Sequence, residues 1–219
     1  MSSVWFIRHG ESRGNAGHRT ATPTSTLLTA KGSSQAQFLG HCFDEDIEPS
    51  LVVTSRYTRT KQTAEPILRM FPDTPVEEWP LHEFVCLSPS KYMNSTMAER
   101  RPAVQAYWEN ADPYYVDGPD AESFVEFIDR IQRSLDELRD RRMPLADVFS
   151  HGFVMRAIAW LLLTRPAVID SEQMTKYWNF FQAVDVPNAS ILRVDLDDPF
   201  GARLGEFDVA HLPGELVST

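Results

Sequence analysis

The chain has 219 residues, of which 42% are hydrophobic and 24% are charged. We therefore predict one domain over residues 1–219, with a core that needs no metal or disulfide staple, and this composition excludes a disordered chain. Lys and Arg number 21 against 31 Asp and Glu, so the net charge of −10 argues against a general binder of nucleic acid or anionic membranes.

In the first half of the chain, apolar runs alternate with helical spacing. Residues 4–7 form a short apolar run typical of a buried strand, and residues 29–43 place apolar side chains on one helical face behind a threonine that can cap the helix. Residues 51–54 predict a second buried strand, and residues 57–71 predict a helix that Pro66 should bend or divide.

The stretch at about 88–118 has no clean period and is rich in Tyr, Trp, Pro and Met. We interpret it as an excursion from the core, either a lid over a site or a structural insertion. Its aromatic side chains would either line a ligand pocket or form a small core of the excursion's own. These residues are Tyr92, Tyr107, Trp108, Tyr114 and Tyr115.

The second half of the chain continues the alternation of helix and strand. An apolar stripe over residues 124–138 predicts an amphipathic helix, residues 145–149 a third buried strand, and residues 153–163 a buried helix. Residues 190–196 and 203–209 predict two further strands. This order of elements predicts an α/β fold, a three-layer sandwich with a mainly parallel central sheet flanked by helices.

Arginine and histidine side chains follow the three predicted buried strands. Arg8 and His9 come directly after the first strand. Arg59 lies on the helix after the second strand, and His151 follows the third. Because ligand sites in such sheets lie beyond the carboxyl ends of the strands, we expect these side chains to converge there. Helix N-termini at that edge also favour anions, so the pattern predicts a site for phosphate or another compact oxyanion.

Several short motifs lie in order along nearly the whole chain. They are RHGES at 8–12 with Asn15, LTAKG at 28–32 with QA at 35–36, SRYTR at 55–59 with QTA at 62–64, LHE at 81–83, ES at 122–123 with Arg130, SHG at 150–152, and PNAS at 187–190. Together they resemble the motifs of the histidine phosphatase superfamily, the phosphoglycerate mutase-like proteins, in its broad phosphatase branch. The resemblance implies an enzyme that hydrolyses small phosphate monoesters.

The resemblance also implies a phosphohistidine mechanism. His9 would attack phosphorus, and Arg8, Arg59 and a nearby second histidine would depress its pKa because like charges disfavour the imidazolium. Arg8, Arg59 and His151 would bind the phosphoryl oxygens, over which charge spreads during the transfer. Glu83 would protonate the leaving oxygen and then help water to attack the phosphohistidine.

The same resemblance assigns further contacts to the substrate. Ser12, Asn15 and Gly152 would bind the phosphoryl group. Arg56 stands where the family often has proline, and we expect its side chain to face solvent rather than to add charge to the pocket rim.

The residues after Glu83 depart from the family pattern. Glycines and a second acid are common there in the family, whereas this chain reads FVCLSP at 84–89. If Glu83 is not the general acid, Glu122 or Glu11 would be the next candidate. We expect Glu11 to form a structural pair with an arginine instead.

No metal and no cofactor are expected, because the remaining histidines share no metal-ligand spacing. These are His18, His41, His82 and His211. The two cysteines, Cys42 and Cys86, have no CxxC spacing and are expected to be reduced. The N-terminal residues do not read as a signal peptide, and the longest apolar run, 157–163, is too short for a bilayer span, so we expect a cytoplasmic protein.

The expected partner is a small phosphorylated substrate, with no nucleic acid and no membrane, and the sequence leaves a homodimer open. Two alternative functions remain: a mutase that returns the phosphoryl group to its substrate, and a pseudo-enzyme that only binds phosphorylated ligands. The chain is shorter than typical cofactor-dependent mutases of the resembled family, which favours the phosphatase. The presence of both His9 and His151 argues against the pseudo-enzyme.

Overall fold

A single sheet lies at the centre of the computed structural model, which describes residues 3–197 and 201–219. Its strands are β1 (Ser3–Arg8), β2 (Leu51–Thr54), β3 (Val76–Glu78), β4 (Leu145–Ser150), β5 (Ile191–Asp195) and β6 (Arg203–Asp208). The α-helices of the same residues are α1 (Ala30–Leu39), α2 (Thr58–Met70), α3 (Met97–Asn110), α4 (Phe124–Arg141), α5 (Gly152–Thr164) and α6 (Ser171–Ala183).

The strand order across the sheet is β3-β2-β4-β1-β5-β6. The strands β1 to β4 run parallel to one another, and β5 and β6 are antiparallel additions beside β1. Arg8 pairs with Ser150, and Thr54 pairs with Phe149, so the carboxyl ends of β1, β2 and β4 meet at one edge. The predicted α/β fold with a mainly parallel sheet is confirmed.

Two apolar clusters cover the two faces of the sheet. Phe6 belongs to the larger cluster, with Phe127 of α4 and Ile158 of α5. The next residue, Ile7, belongs to the smaller cluster, with Ile67 of α2. Successive side chains of a strand point to opposite faces, so helices pack on both sides of the sheet and form the predicted three layers.

The helix α2 is continuous although Pro66 lies in its interior. Of the two expectations for this proline, that it divides the helix is therefore wrong, and that it bends the helix stays a prediction. Ala64 and Ile67, on either side of the proline, are both fully buried in the smaller apolar cluster. Tertiary packing of both halves on the sheet thus compensates for the backbone hydrogen bond that proline cannot donate.

The sequence does not predict β3, α3 or α6. The strand β3 has only three residues, none of them buried. The helix α6 buries only Met174 and Tyr177, and α3 only Tyr107 and Trp108, so neither carries a continuous apolar stripe. No helix in residues 3–197 and 201–219 is long and apolar enough to cross a membrane.

Four of the five aromatic residues named in the excursion divide into two groups, and the fifth, Tyr92, is half-buried. Tyr107 and Trp108, at the end of α3, are buried in the larger apolar cluster of the protein. The Trp108 ring stacks on Trp178 of α6, with ring centroids 4.7 Å apart. Tyr114 and Tyr115 are exposed. The buried aromatic residues at the end of α3 therefore belong to the main core of the protein and not to a core of the excursion's own.

Asp147 is buried in β4 without a hydrogen-bond partner in the described part of the chain. It lies in register with Trp5 of β1 and Val52 of β2, so apolar residues flank it in the sheet. Burial raises the pKa of its carboxyl well above the ordinary value. The folded protein therefore holds this proton to a higher pH than the unfolded chain does.

We expect Asp147→Val to raise the free energy of unfolding by about 1–3 kcal/mol at neutral pH, because it removes a buried unpaired polar group. The wild type should lose stability as the pH rises above the pKa of the unfolded carboxyl, about 4, whereas valine does not titrate. Urea unfolding near pH 5 and near pH 8 measures the difference. Asp147→Asn is the control, since it stays polar but cannot ionise. A gain for valine that is equal at both pH values would contradict a protonated buried carboxyl.

Candidate active site

The carboxyl edge of the sheet brings together Arg8, His9, Arg59 and His151. The first two end β1 and begin its loop, Arg59 lies in the first turn of α2, and His151 is the residue that caps the start of α5. The His9 and His151 rings lie 5.1 Å apart, centroid to centroid. All four side chains are buried. The convergence expected from the strand ends is therefore present in the fold.

Hydrogen bonds define which nitrogen of His9 carries the proton. Arg59 Nε lies 3.0 Å from His9 Nε2, and a guanidinium can only donate. His9 Nε2 is therefore the acceptor, and Nδ1 carries the proton that is donated to Gly10 O at 2.7 Å. Burial, followed by the charges of Arg59 and Arg8, lowers the pKa of His9 well below its ordinary value. The imidazole is thus neutral, with its lone pair facing the arginine.

Arg59 connects both histidines to the neighbouring loop. Its Nη2 donates to His151 Nδ1 at 3.0 Å, and its Nη1 donates to Pro23 O at 2.7 Å. The guanidinium also lies over the Tyr57 ring, 4.7 Å from its centroid. One planar group thereby fixes the relative positions of His9, His151 and the loop around Pro23.

His151 is the fully buried partner in this network. Its Nδ1 accepts from Arg59, so its Nε2 carries the proton and donates to Ser55 Oγ at 2.8 Å. Burial and then the charge of Arg59 lower the pKa of His151 well below its ordinary value. The sequence includes Ser55 and Tyr57 only as members of the motif at 55–59. The Tyr57 ring packs 5.1 Å from that of His151, centroid to centroid.

Arg8 is anchored at one end and has an unpaired donor at the other. Its Nη1 donates to Val186 O, whereas its Nε is buried with no partner in the described residues. Burial lowers the pKa of Arg8 to about 10. Gly152, at the start of α5, lies beside this nitrogen, since a Cβ atom there would be 3.5 Å from it. A buried unpaired N–H beside a helix N-terminus is suited to an anion.

The turn after His9 depends on close backbone packing. A Cβ atom at Gly10 would lie 2.5 Å from Gly32 O of α1, so only glycine fits there. Gln35 of α1 accepts from the Glu11 N–H at 2.6 Å and donates to Leu216 O at 2.6 Å. The turn is therefore tied to α1 and, through one glutamine, to the C-terminal segment.

Ser12 and Asn15 form a local turn beside the site. Both the N–H and the hydroxyl of Ser12 donate to Asn15 Oδ1, at 3.1 and 2.7 Å. The Asn15 side-chain carbonyl is thus used internally, which leaves the Asn15 amide nitrogen as its donor group.

Glu83 lies beside the start of α5, within reach of the charges of Arg59 and Arg8. Its Oε1 accepts from the N–H groups of Phe84 and Phe153, each at 3.1 Å. Burial raises the pKa of Glu83 above its ordinary value, against the opposing charges of Arg59 and Arg8. A carboxyl of raised pKa beside a cationic site is suited to hold and release a proton.

The two alternative acids are engaged elsewhere. Glu122 forms an ion pair with Arg130, with Nε and Oε2 at 2.8 Å. Glu11 accepts from the Thr29 hydroxyl at 2.8 Å, at the cap of α1, rather than pairing with an arginine as expected. Arg56 is exposed, as expected. Within residues 3–197 and 201–219, no three His, Cys, Asp or Glu side chains are grouped as metal ligands.

Comparisons with known proteins can be set beside this geometry. The sequence profile of the histidine phosphatase superfamily (branch 1) matches residues 4–200. A relative described as "Probable phosphoglycerate mutase GpmB" from Erwinia tasmaniensis is 29% identical over 199 residues, which cover 89% of this chain and 85% of that protein. Its counterpart in Escherichia coli (strain K12 / DH10B) is 27% identical and covers 97% and 95%.

Solved structures share the fold. The alpha-ribazole phosphatase from Shigella flexneri superimposes with a TM-score of 0.72 at 24% identity, covering 94% of this chain and 96% of that chain. A phosphoserine phosphatase mutant from Entamoeba histolytica gives 0.72 at 18% identity, covering 97% and 100%. At these identities the likeness concerns the fold alone, but the profile match spans nearly the whole chain. The chain therefore belongs to branch 1 of the histidine phosphatase superfamily.

Proposed function

We propose that the protein is a phosphatase that hydrolyses small phosphate monoesters through a phosphohistidine at His9 Nε2, without a metal or cofactor. The observation that carries this proposal is the bond from Arg59 Nε to His9 Nε2 at 3.0 Å, because it identifies the nitrogen that holds a lone pair beside a cationic site. The proton on the other nitrogen is anchored on Gly10 O, so the ring is held in the orientation of a nucleophile.

In the first step, the phosphoryl oxygens would bind Arg8, Arg59 and the N–H of Gly152 at the start of α5. The phosphoryl oxygens would accept the hydrogen bond that Arg59 Nε–H otherwise donates to His9 Nε2. The lone pair of Nε2 is then free to attack phosphorus. The Nε2–P bond forms while the bond from phosphorus to the leaving oxygen breaks. The Glu83 carboxyl passes its proton to that oxygen, and its raised pKa supports this role.

In the second step, the Glu83 carboxylate would accept a proton from water, whose oxygen attacks phosphorus. The Nε2–P bond then breaks, and inorganic phosphate leaves His9 in its starting state. His151 Nδ1 is an acceptor toward Arg59, so it would need a proton before it could donate to a phosphoryl oxygen. The negative charge of a bound phosphoryl group favours that proton. Ser12 and Asn15 would add donors at the edge of the site.

The excursion, including α3, is proposed to bound the approach to this site. Thr20 pairs with Ser95 in a short antiparallel bridge, and Asn94 N donates to Thr20 O. The same loop reaches the site through Pro23, which accepts from Arg59. Contacts of the leaving group would therefore come from the loop around residues 19–26 and from the excursion.

The experiment that tests the function measures phosphate release from an aryl phosphate in the presence of a chelator. We expect turnover to persist, together with a protein-bound phosphoryl label that is stable in alkali and lost in acid, as a P–N bond is. Loss of turnover on chelation, or turnover without any label, would contradict the proposal.

A mutase is the second candidate, and the names of the sequence relatives favour it. It would use the same phosphohistidine but return the phosphoryl group to a second position of the substrate. Incubation with phosphoglycerate labelled in its phosphoryl group distinguishes the two. Movement of the label between positions without phosphate release indicates the mutase, and phosphate release indicates the phosphatase. Binding without either reaction would indicate the pseudo-enzyme.

We expect Glu83→Gln to lower kcat/KM for an alkyl phosphate by about 10²-fold or more, because the poor leaving group needs the proton. An aryl phosphate, whose leaving group needs little protonation, should lose far less in kcat/KM, which reports the transfer to His9. Its kcat should still fall, since hydrolysis of the phosphohistidine needs the carboxylate as a base. Equal losses of kcat/KM for both esters would remove Glu83 as the general acid.

A further inference from the structure

The segment that carries Glu83 has no regular secondary structure, although its position must be fixed for proton transfer. Residues 81–86 belong to no helix or strand. Arg130 of α4 binds this segment on the N-terminal side of Glu83. Its Nη1 donates to Pro80 O at 2.6 Å, and its Nη2 donates to His82 O at 2.8 Å.

Glu122 binds the same segment on the C-terminal side of Glu83. Its Oε1 accepts from the Val85 N–H at 3.1 Å, and its own N–H donates to Val85 O at 3.0 Å. The backbone is thus held immediately before the acid and two residues after it. Among the described residues, the hydrogen bonds to the Glu83 side chain come from the N–H of Phe84 in this segment and from the N–H of Phe153 in α5. The position of the carboxyl therefore depends on the backbone of its segment as well as on α5.

Arg130 and Glu122 also form an ion pair with each other. Arg130 Nε and Nη2 meet Glu122 Oε2 and Oε1, both at 2.8 Å, in a two-point ion pair. The side chains are only 8% and 15% exposed. Arg130 thus uses its planar fork to bind one carboxylate and two carbonyls at once. A lysine offers one compact ammonium and cannot reproduce that geometry.

We propose that Arg130 and Glu122 are positioning residues that hold the Glu83 carboxyl where it can protonate the leaving oxygen. The inference rests on the proposed function for its kinetic consequence. Neither residue touches His9, Arg8 or the phosphoryl site by any hydrogen bond between described residues, so they should affect phosphoryl transfer to His9 only through the proton that Glu83 donates.

The test compares Arg130→Lys with wild type on an alkyl and an aryl phosphate. We expect kcat/KM for the alkyl ester to fall by about 10²-fold, since a displacement of about 1 Å can cost that much, while the aryl value stays close to wild type. Arg133→Lys is the matched control: it lies on the same helix, is exposed, and pairs with Asp129 of that helix rather than with the acid segment. In the background of Glu83→Gln, Arg130→Lys should add no further alkyl loss.

Equal losses on both esters, or an additional alkyl loss in the double variant, would overturn the positioning role. A second readout does not need turnover. Hydrogen exchange of the Phe84 and Val85 amides should accelerate in Arg130→Lys and stay unchanged in Arg133→Lys. Unchanged exchange of these two amides in Arg130→Lys overturns the positioning role even if the wild type hydrolyses neither ester. That last result would separately contradict the proposed function.

Discussion

Replacement of His9 by alanine is expected to lower kcat/KM for every phosphate ester by about 10⁴-fold or more, because the variant lacks the atom that bonds to phosphorus in the proposed mechanism. The loss should be the same for alkyl and aryl esters, unlike that of Glu83→Gln. The protein-bound phosphoryl label should vanish as well. Both quantities follow from steady-state kinetics and from gel detection of labelled protein.

His18→Ala is the matched control, since His18 lies in an exposed loop and forms no side-chain hydrogen bond among the described residues. It should retain the activity and the label. If His9→Ala kept activity within about tenfold of the wild type, His9 could not be the nucleophile, and a water-based mechanism would take its place.

Replacement of Arg59 by alanine is expected to cost about 10³–10⁵-fold in kcat/KM, the range of an arginine that stabilises a transferring phosphoryl group. The change removes three hydrogen bonds at once, to His9, His151 and Pro23. It also removes a positive charge that lowers the pKa of both histidines, so the pKa of His9 should rise toward its ordinary value. Kinetics and histidine NMR titration measure the two effects.

Arg56→Ala is the control for Arg59, because it removes an arginine three residues earlier that is exposed and also lies near the Tyr57 ring. Its effect on kcat/KM should be small. Similar losses in Arg56→Ala and Arg59→Ala would show that general positive charge, rather than the contacts of Arg59, supports the reaction.

The sequence predicts those parts of the site that depend on strand ends. Arg8 and His151 follow buried apolar runs, and β1 and β4 are neighbours in register, so local pattern and sheet geometry place both residues at one edge. Arg59 follows β2 in the same way. These predictions need only the rule that parallel strands present their carboxyl ends together.

The parts that the sequence does not predict depend on contacts between distant residues. Arg8 is held by Val186 O, 178 residues later in the chain, and backbone carbonyls leave no signal in a sequence. The helix α3 lacks an apolar stripe because only its last turns reach the core. A capping box of Thr96 and Glu99 begins this helix, a local pattern on which no prediction above rests. The proton positions on His9 and His151 likewise depend on Arg59, which the chain supplies from elsewhere.

The contact of Gln35 with Leu216 gives the site an order of assembly. The two residues are 181 positions apart, and Gln35 also holds the turn that follows His9. During synthesis the N-terminal segments emerge first, so the turn can form early but cannot be locked until the segment around Leu216 has emerged as well. A nascent chain would thus expose the loop after His9 in a loose form. Emergence of the segment around Leu216, rather than formation of the sheet alone, would then mark the moment at which this turn becomes fixed.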